Sequence, residues 1–258
     1  MKRGKKRICT IALAQIKYFD VNKKNNVEKI KKYIRLAKSK KADIICFPES
    51  SVHKTKTLHF DDEFIKEIKE ECRKNSIWCI ITEDFSIKGK VYNLSILIDR
   101  TGKIKGSYKK IHLYGDSDGI YPGKKIKVLQ TDFAKIGIAV CWDLAFPDLF
   151  SKMKKAGAEI VFCPAFWCYE EKAYDKNHQK EETNLLRALV HTRAFENLYF
   201  VGLINPVVKR KDMVSYSTIV SPQKILKEII NKEGLITAKV NLNDIKKMEK
   251  VYSEENTR

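Results

Sequence analysis

Short apolar runs alternate along this chain with longer segments whose apolar residues recur at helical spacing. Ile8–Ile16 reads as a buried strand. Residues 22–38 place Val27, Ile30, Ile34 and Ala37 on one helical face, with Asn22 or Asn25 as the cap. A strand over Ala42–Phe47 follows. Asp61-Asp62-Glu63 puts acid at the start of a helix, where the dipole favours it, and Phe64, Ile68 and Cys72 form that helix's apolar stripe. Ile77–Ile81 is the next strand. Val91–Ile98 and Ile104–Tyr108 flank Asp99-Arg100-Thr101-Gly102 and read as a hairpin.

The second half repeats the alternation. Lys135–Val140 is an apolar strand with a glycine inside it. Pro147 suits the first turn of a helix over Asp148–Lys155, which Gly157 closes. Strand Ala158–Cys163, helix Glu181–Asn197 and strand Tyr199–Asn205 come next. Ser217–Val220 and Lys224–Ile229 join through Ser221-Pro222-Gln223, and Leu235–Val240 leads to a short C-terminal helix. Strands alternating with helices, plus hairpins, predict an α/β protein of mixed sheet content. No repeat, low-complexity linker or boundary divides it, so 1–258 reads as one domain.

Composition narrows the function classes. With 258 residues, 43% of them hydrophobic, the chain has core material for a large domain. No apolar run reaches the roughly 18 residues of a membrane span. Met1–Arg7 followed by Ile8–Ile16 faintly mimics a signal peptide, but Gln15 and Lys17 end the run and no small-residue cleavage site follows. The seven cysteines lie mostly in apolar strands, which argues against a disulfide framework and fits a reducing cytoplasm. Cys163 and Cys168 lack a matching second ligand pair, so no zinc site is expected. The net charge of +19 comes from lysines spread over helix faces, such as Lys23, Lys24, Lys31 and Lys32. It reads as a solvated surface rather than a nucleic-acid footprint.

The candidate chemistry centres on Cys141, at the end of a strand and before a bend into a helix. Open α/β sheets place reactive groups there, and a nearby helix N-terminus would favour the thiolate. A buried core cysteine is the alternative reading of the same context. Two other stretches add partners: Phe47-Pro48-Glu49 closes a strand, and Lys109-Lys110-Ile111-His112-Leu113 follows another. A carboxylate to take the thiol proton, a lysine to stabilise an oxyanion and a cysteine to attack form a complete nucleophilic set.

Together these stretches resemble the nitrilase superfamily of carbon–nitrogen hydrolases. Its motif regions occur in order as Phe47-Pro48-Glu49, Lys110-Ile111-His112-Leu113, and Cys141-Trp142-Asp143 with Phe146-Pro147-Asp148. Flanking matches run from Thr10–Gln15 to Ser217–Pro222. The resemblance implies a four-layer α-β-β-α sandwich and a site of Glu49, Lys110 and Cys141. The backbone N–H of Trp142 would be an oxyanion donor. It implies no metal or cofactor. It selects Lys110 over Lys109, two neighbours that cannot face the same way in a strand. His112 would fix the loop, while Asp116, or Asp118 in its place, would stand for the family's second glutamate. Ala145 occupies a position where relatives often carry Arg or a large aromatic, which would enlarge the pocket. Phe166 and Trp167 open an insertion reaching about His178, read as a lid or pocket wall or else a surface loop. His53 and His59 read as polar loop residues.

The implied activity is hydrolysis of a small amide or N-carbamoyl compound through a cysteine thioester, by a homo-oligomer of two or more subunits with no membrane or nucleic-acid partner. A true nitrilase and a nitrilase-like binding subunit without catalysis remain open, the latter because of Asp116 and Ala145.

Overall fold

The computed structural model describes residues 7–18, 24–53, 56–115, 118–168, 178–208 and 212–252. Two six-stranded sheets form its centre. The first has the order β12-β1-β2-β3-β4-β5, with β1 at Ile8–Gln15, β2 at Ile44–Glu49, β3 at Trp78–Ile87, β4 at Lys90–Ile98, β5 at Ile104–Lys109 and β12 at Gly234–Asn241. The second has the order β11-β10-β9-β8-β7-β6, with β6 at Val128–Gln130, β7 at Lys135–Ile138, β8 at Ile160–Pro164, β9 at Phe200–Ile204, β10 at Tyr216–Val220 and β11 at Ile225–Ile230. Strands β1, β2 and β3 run parallel, as do β7, β8 and β9, and antiparallel strands flank each trio. Each trio is built as β-α-β-α-β, a topological repeat that leaves no trace in the sequence.

Why the sheets stack is visible in the period of two. Ile11, Leu13, Ile44, Cys46 and Ile80 belong to the core cluster shared with the second sheet. Their neighbours Ala12, Ala14, Ile45, Phe47 and Ile81 pack instead with Ile30 and Ile34 of α1 (Val27–Ser39) and with Ile65, Ile68 and Cys72 of α2 (Glu63–Asn75). Strands apolar on both faces can satisfy two layers at once. On the second sheet the outer layer is α3 (Pro147–Lys155) and α4 (His178–Asn197). Leu149, Phe150, Met153, Leu186 and Val190 are buried there. A short helix α5 (Asn243–Tyr252) follows β12. The result is the expected α-β-β-α sandwich. No helix among the described residues is long and apolar enough to cross a membrane.

Gly137 explains the glycine inside β7. A Cβ there would lie 2.9 Å from Met153 Sδ and 3.0 Å from Val161, so its absence lets α3 lie close on the sheet.

The structure corrects several local expectations. Helix α1 starts at Val27; Asn25 Oδ1 accepts from the Val27 N–H at 3.2 Å, and Asn22 lies outside the described residues. In α2, Ile65 is buried where Phe64 was expected, and Phe64 is only half-buried. Helix α3 begins at Pro147, and Gly157 just beyond it has φ +87°. Strand β3 continues past Ile81 through Thr82-Glu83-Asp84 and pairs along its length with β4.

Candidate active site

The site lies where the parallel strands of both sheets end. Strict alternation along β2 would send Glu49 to the helix-covered face with Ile45 and Phe47. The pairing register of β2 with β3 instead shifts between Cys46 and Glu49. Pro48 lies in that interval and has no N–H to give the ladder. The irregularity turns Glu49 to the inter-sheet side, and the chain leaves the strand through Ser50 at φ +53°.

Along β4 and β5 no such break intervenes near the site. Tyr108 belongs to the inter-sheet core, and Lys110, two residues on, faces the same way. The Lys110 Nζ lies 3.1 Å from Glu49 Oε1 and the residue is 2% exposed. Lys109 faces the other side, its Nζ 3.2 Å from the centre of the Tyr92 ring. Alternation therefore chooses between the two adjacent lysines.

Glu49 is held at both oxygens. Asn93 Nδ2 donates to Oε1 at 2.8 Å, and the backbone N–H of Phe166 donates to Oε2 at 3.1 Å. Asn93 is buried, and its own Oδ1 is buried without a hydrogen-bond partner among the described residues. Glu83, also buried, accepts the Val52 N–H and anchors the segment after Glu49; burial pushes its carboxyl well up.

Cys141 follows β7 in a short 3-10 segment, Cys141–Ala145, with φ +47°. A non-glycine residue in that region costs about 1–3 kcal/mol and persists only where its surroundings fix it. Asp143 supplies the fixing. Fully buried, it accepts from Val140 N at 2.9 Å and from Tyr108 OH at 2.7 Å through Oδ2. Its Oδ1 accepts from His112 N at 2.9 Å and lies 2.8 Å from His112 Nδ1. One carboxylate thus ties the residues flanking Lys110 to the residue preceding Cys141. His112 also stacks on Phe146 at 3.6 Å. It therefore bridges Asp143 and Phe146.

Glu49, Lys110 and Cys141 line one cavity of about 210 Å³ with Asn93, Ser50 and Asp84. Tyr114, Ile120, Trp142, Phe166 and Trp167 supply its apolar walls. Phe166 and Trp167 follow β8, so this part of the insertion is pocket wall; residues 169–177 lie outside the described residues. Trp167 is fixed by a 2.7 Å bond from its Nε1 to Glu182 and a 2.9 Å bond from its backbone N–H to Asn205 Oδ1.

Other expectations fare differently. Ala145 is not among the residues lining this cavity, since the 3-10 turn carries it past the opening. Asp116 lies outside the described residues. Asp118 is exposed and does not line the cavity. Asn93 and Asp143 were not singled out by sequence. A lone Asn in an apolar strand gives no signal of which face it serves, and Asp143 read only as part of a motif.

The helix N-terminus that would favour a thiolate at Cys141 is opposed by the rest of the site. Burial pushes the Cys141 thiol well up, and the Glu49 charge adds to it; Lys110 and the Phe166 N–H pull the other way without prevailing. The resting group is a thiol with a carboxylate nearby, not a free thiolate. Removing the Glu49 charge lowers the thiol pKa. In Glu49→Gln the pH midpoint of Cys141 alkylation by iodoacetamide, followed by peptide mass spectrometry, is therefore expected below that of wild type. An unchanged or higher midpoint would show that the Glu49 charge does not raise this thiol's pKa.

A buried thiol at a strand end, sharing a small cavity with a hydrogen-bonded carboxylate and an ammonium, gives the fold the reacting groups of a thiol-dependent hydrolase. Residues 10–250 match the model of the carbon-nitrogen hydrolase family, and the chain belongs to that family. It is similar to nitrilase homolog 2 of Dictyostelium discoideum, 27% identical over 248 residues, 87% of this chain and 73% of that one. It is also 27% identical over 242 residues to the 2-oxoglutaramate amidase of Paenarthrobacter nicotinovorans, 84% of this chain and 79% of the other. In structure it resembles a variant of the amidase from Nesterenkonia sp. AN1 that carries the acetamide moiety of fluoroacetamide on its active-site cysteine. The TM-score is 0.77 at 19% identity, over 97% of each chain.

Proposed function

We propose that Glu49, Lys110 and Cys141 hydrolyse a small amide through a thioester on Cys141. The observation that carries this is the Lys110–Glu49 pair at 3.1 Å, both residues buried and both lining the cavity of Cys141. Glu49 takes the thiol proton as sulfur attacks the carbonyl carbon. The carbonyl oxygen becomes an oxyanion, stabilised by Lys110 Nζ and by the Trp142 N–H. That N–H lies in the first turn of the 3-10 segment, where such donors have no acceptor within the helix. Collapse expels ammonia, which leaves with the proton from Glu49. Glu49 then deprotonates a water that cleaves the thioester, and the proton returns to sulfur. The covalent addition of an acetamide moiety to the active-site cysteine of the Nesterenkonia amidase supports a nucleophilic sulfur.

The cavity also bears on the substrate. Its volume of about 210 Å³ is below the roughly 300–1,000 Å³ of sites for larger ligands, which suits a short acyl group. Lys110 is the one cation among its described lining residues, and it faces Glu49. The one free carboxylate of a dicarboxylic monoamide would meet carboxylates of the protein, Asp84 included, rather than a second cation. The reading is therefore an uncharged small amide, not a dicarboxylic monoamide. Ammonia release from uncharged monoamides, dicarboxylic monoamides, N-carbamoyl amines and nitriles tests it. The uncharged amides are expected to lead the dicarboxylic ones by at least tenfold in kcat/KM, about 1.4 kcal/mol of transition-state binding. The opposite order would refute the substrate assignment and leave the reaction class standing.

Assembly belongs to the same reading. Leu185 and Phe195 of α4 and Val251 and Tyr252 of α5 are exposed, and the Phe195 and Tyr252 rings meet edge to face at 5.6 Å. This apolar face suits a second copy of the chain. Light scattering is expected to give a multiple of 29.9 kDa.

A further inference from the structure

The outer face of β4 and β5 carries a feature that amide hydrolysis does not use. Lys109 and Ser107 face away from the active site, on the side opposite Tyr108 and Lys110. They line a second cavity of about 280 Å³ with Tyr92 and with Lys124, Lys125 and Lys127. No acidic residue lines it, and no ion pair joins these four lysines to a carboxylate among the described residues. Some basic groups elsewhere are paired: Arg100 with Asp43 and Asp132, Lys31 with Glu28 and Glu67, Lys154 with Glu249.

The concavity is also pre-built. The Lys109 Nζ sits 3.2 Å from the Tyr92 ring centre and the Lys90 Nζ 4.7 Å from that of Tyr121, and the two rings are 6.0 Å apart. Aromatic faces hold ammonium groups in this way. The segment bearing the other lysines is fastened to both strands. Tyr121 N donates to Val91 O at 2.8 Å, and Gly123 N donates to Lys110 O at 2.7 Å. Gly123 is seated so closely that a Cβ would collide with the Lys109 carbonyl. Four ammonium groups around one small hollow repel each other, and a multiply charged anion relieves that repulsion.

We propose that this cavity binds a small ligand carrying two or more phosphate groups. Lysine is a point-charge phosphate binder, the Ser107 hydroxyl adds a neutral donor, and the size excludes a bulky ligand. The test is calorimetric titration of the full chain with tripolyphosphate at fixed ionic strength. Wild type is expected to bind one per chain with Kd below about 1 mM. The double variant Lys124→Ser, Lys127→Ser is expected to bind at least tenfold more weakly while its circular dichroism spectrum stays that of wild type. The control Lys40→Ser, Lys41→Ser, at another exposed lysine pair, is expected to stay within twofold of wild type. An absence of saturable binding, or an equal loss in both double variants, would overturn the site in favour of diffuse surface charge. A single-stranded oligonucleotide that binds wild type tenfold more tightly than tripolyphosphate, and loses this in the Lys124 and Lys127 variant, would overturn the small-ligand assignment.

Discussion

Cys141→Ala is expected to abolish ammonia release from any amide that wild type hydrolyses, by about 10⁴-fold or more in kcat. The sulfur is the atom proposed to bond to the acyl carbon; among the described lining residues Cys168 is the other thiol, and Ser50 and Tyr114 carry the hydroxyls. Glu49→Gln is expected to approach the same loss. Its side chain keeps an oxygen to accept from Asn93 or Phe166 but can no longer take a proton from a thiol whose burial keeps it protonated. Lys110→Met removes one oxyanion donor and is expected to cost roughly a hundredfold or more. Ammonia assays on the three variants, against a wild-type control, check the order. Wild-type rates in Cys141→Ala would end the account.

The second large effect is expected at a residue that touches no substrate. Asp143→Ala removes the acceptor for Tyr108 OH and for the Val140 and His112 N–H groups, the first two of these being buried. Stranding buried donors costs about 1–3 kcal/mol each, so about 3–5 kcal/mol of stability should be lost. For a chain of 258 residues that lowers Tm by roughly 6–15 °C. Because the same carboxylate ties the Lys110 segment to the Cys141 segment, kcat should fall roughly a hundredfold at temperatures where the variant is still folded. Asp143→Asn should not restore it: Oδ2 accepts from Val140 and Tyr108 and Oδ1 from the His112 N–H, and an amide nitrogen placed at either position cannot accept. Thermal melts and kcat measured below the melt check both parts. A variant that melts with wild type would show that the clamp carries no load.

The strands and helices were legible because burial on two faces leaves near-continuous apolar runs, as in Ile8–Gln15 and Ile160–Pro164, and one-sided burial leaves the helical stripe of α1. Where polar residues continue a strand, the pattern ended too early: Thr82, Glu83 and Asp84 extend β3 because their partners lie across the sheet, which spacing does not reveal. Lys110 was chosen over Lys109 through the motif, by its place two residues before His112; alternation says only that the two face opposite ways. Glu49 could be placed only through a motif, since its direction depends on the register shift beside Pro48. The balance of influences on the thiol is hidden for a related reason. A helix N-terminus is visible in sequence, whereas the burial and the neighbouring carboxylate that outweigh it are properties of the assembled sheets. Asn93 and Asp143 show the same limit, each acting on a residue more than thirty positions away.

The central claim is a covalent bond between substrate carbon and Cys141 sulfur. Wild-type protein quenched in acid during turnover of a small uncharged amide, then digested and weighed by mass spectrometry, tests it most directly. The account predicts the acyl mass on the peptide containing Cys141 and on none of the peptides carrying the other six cysteines. An enzyme that releases ammonia while Cys141 stays unmodified at every quench time, or that carries the acyl group elsewhere, would contradict it.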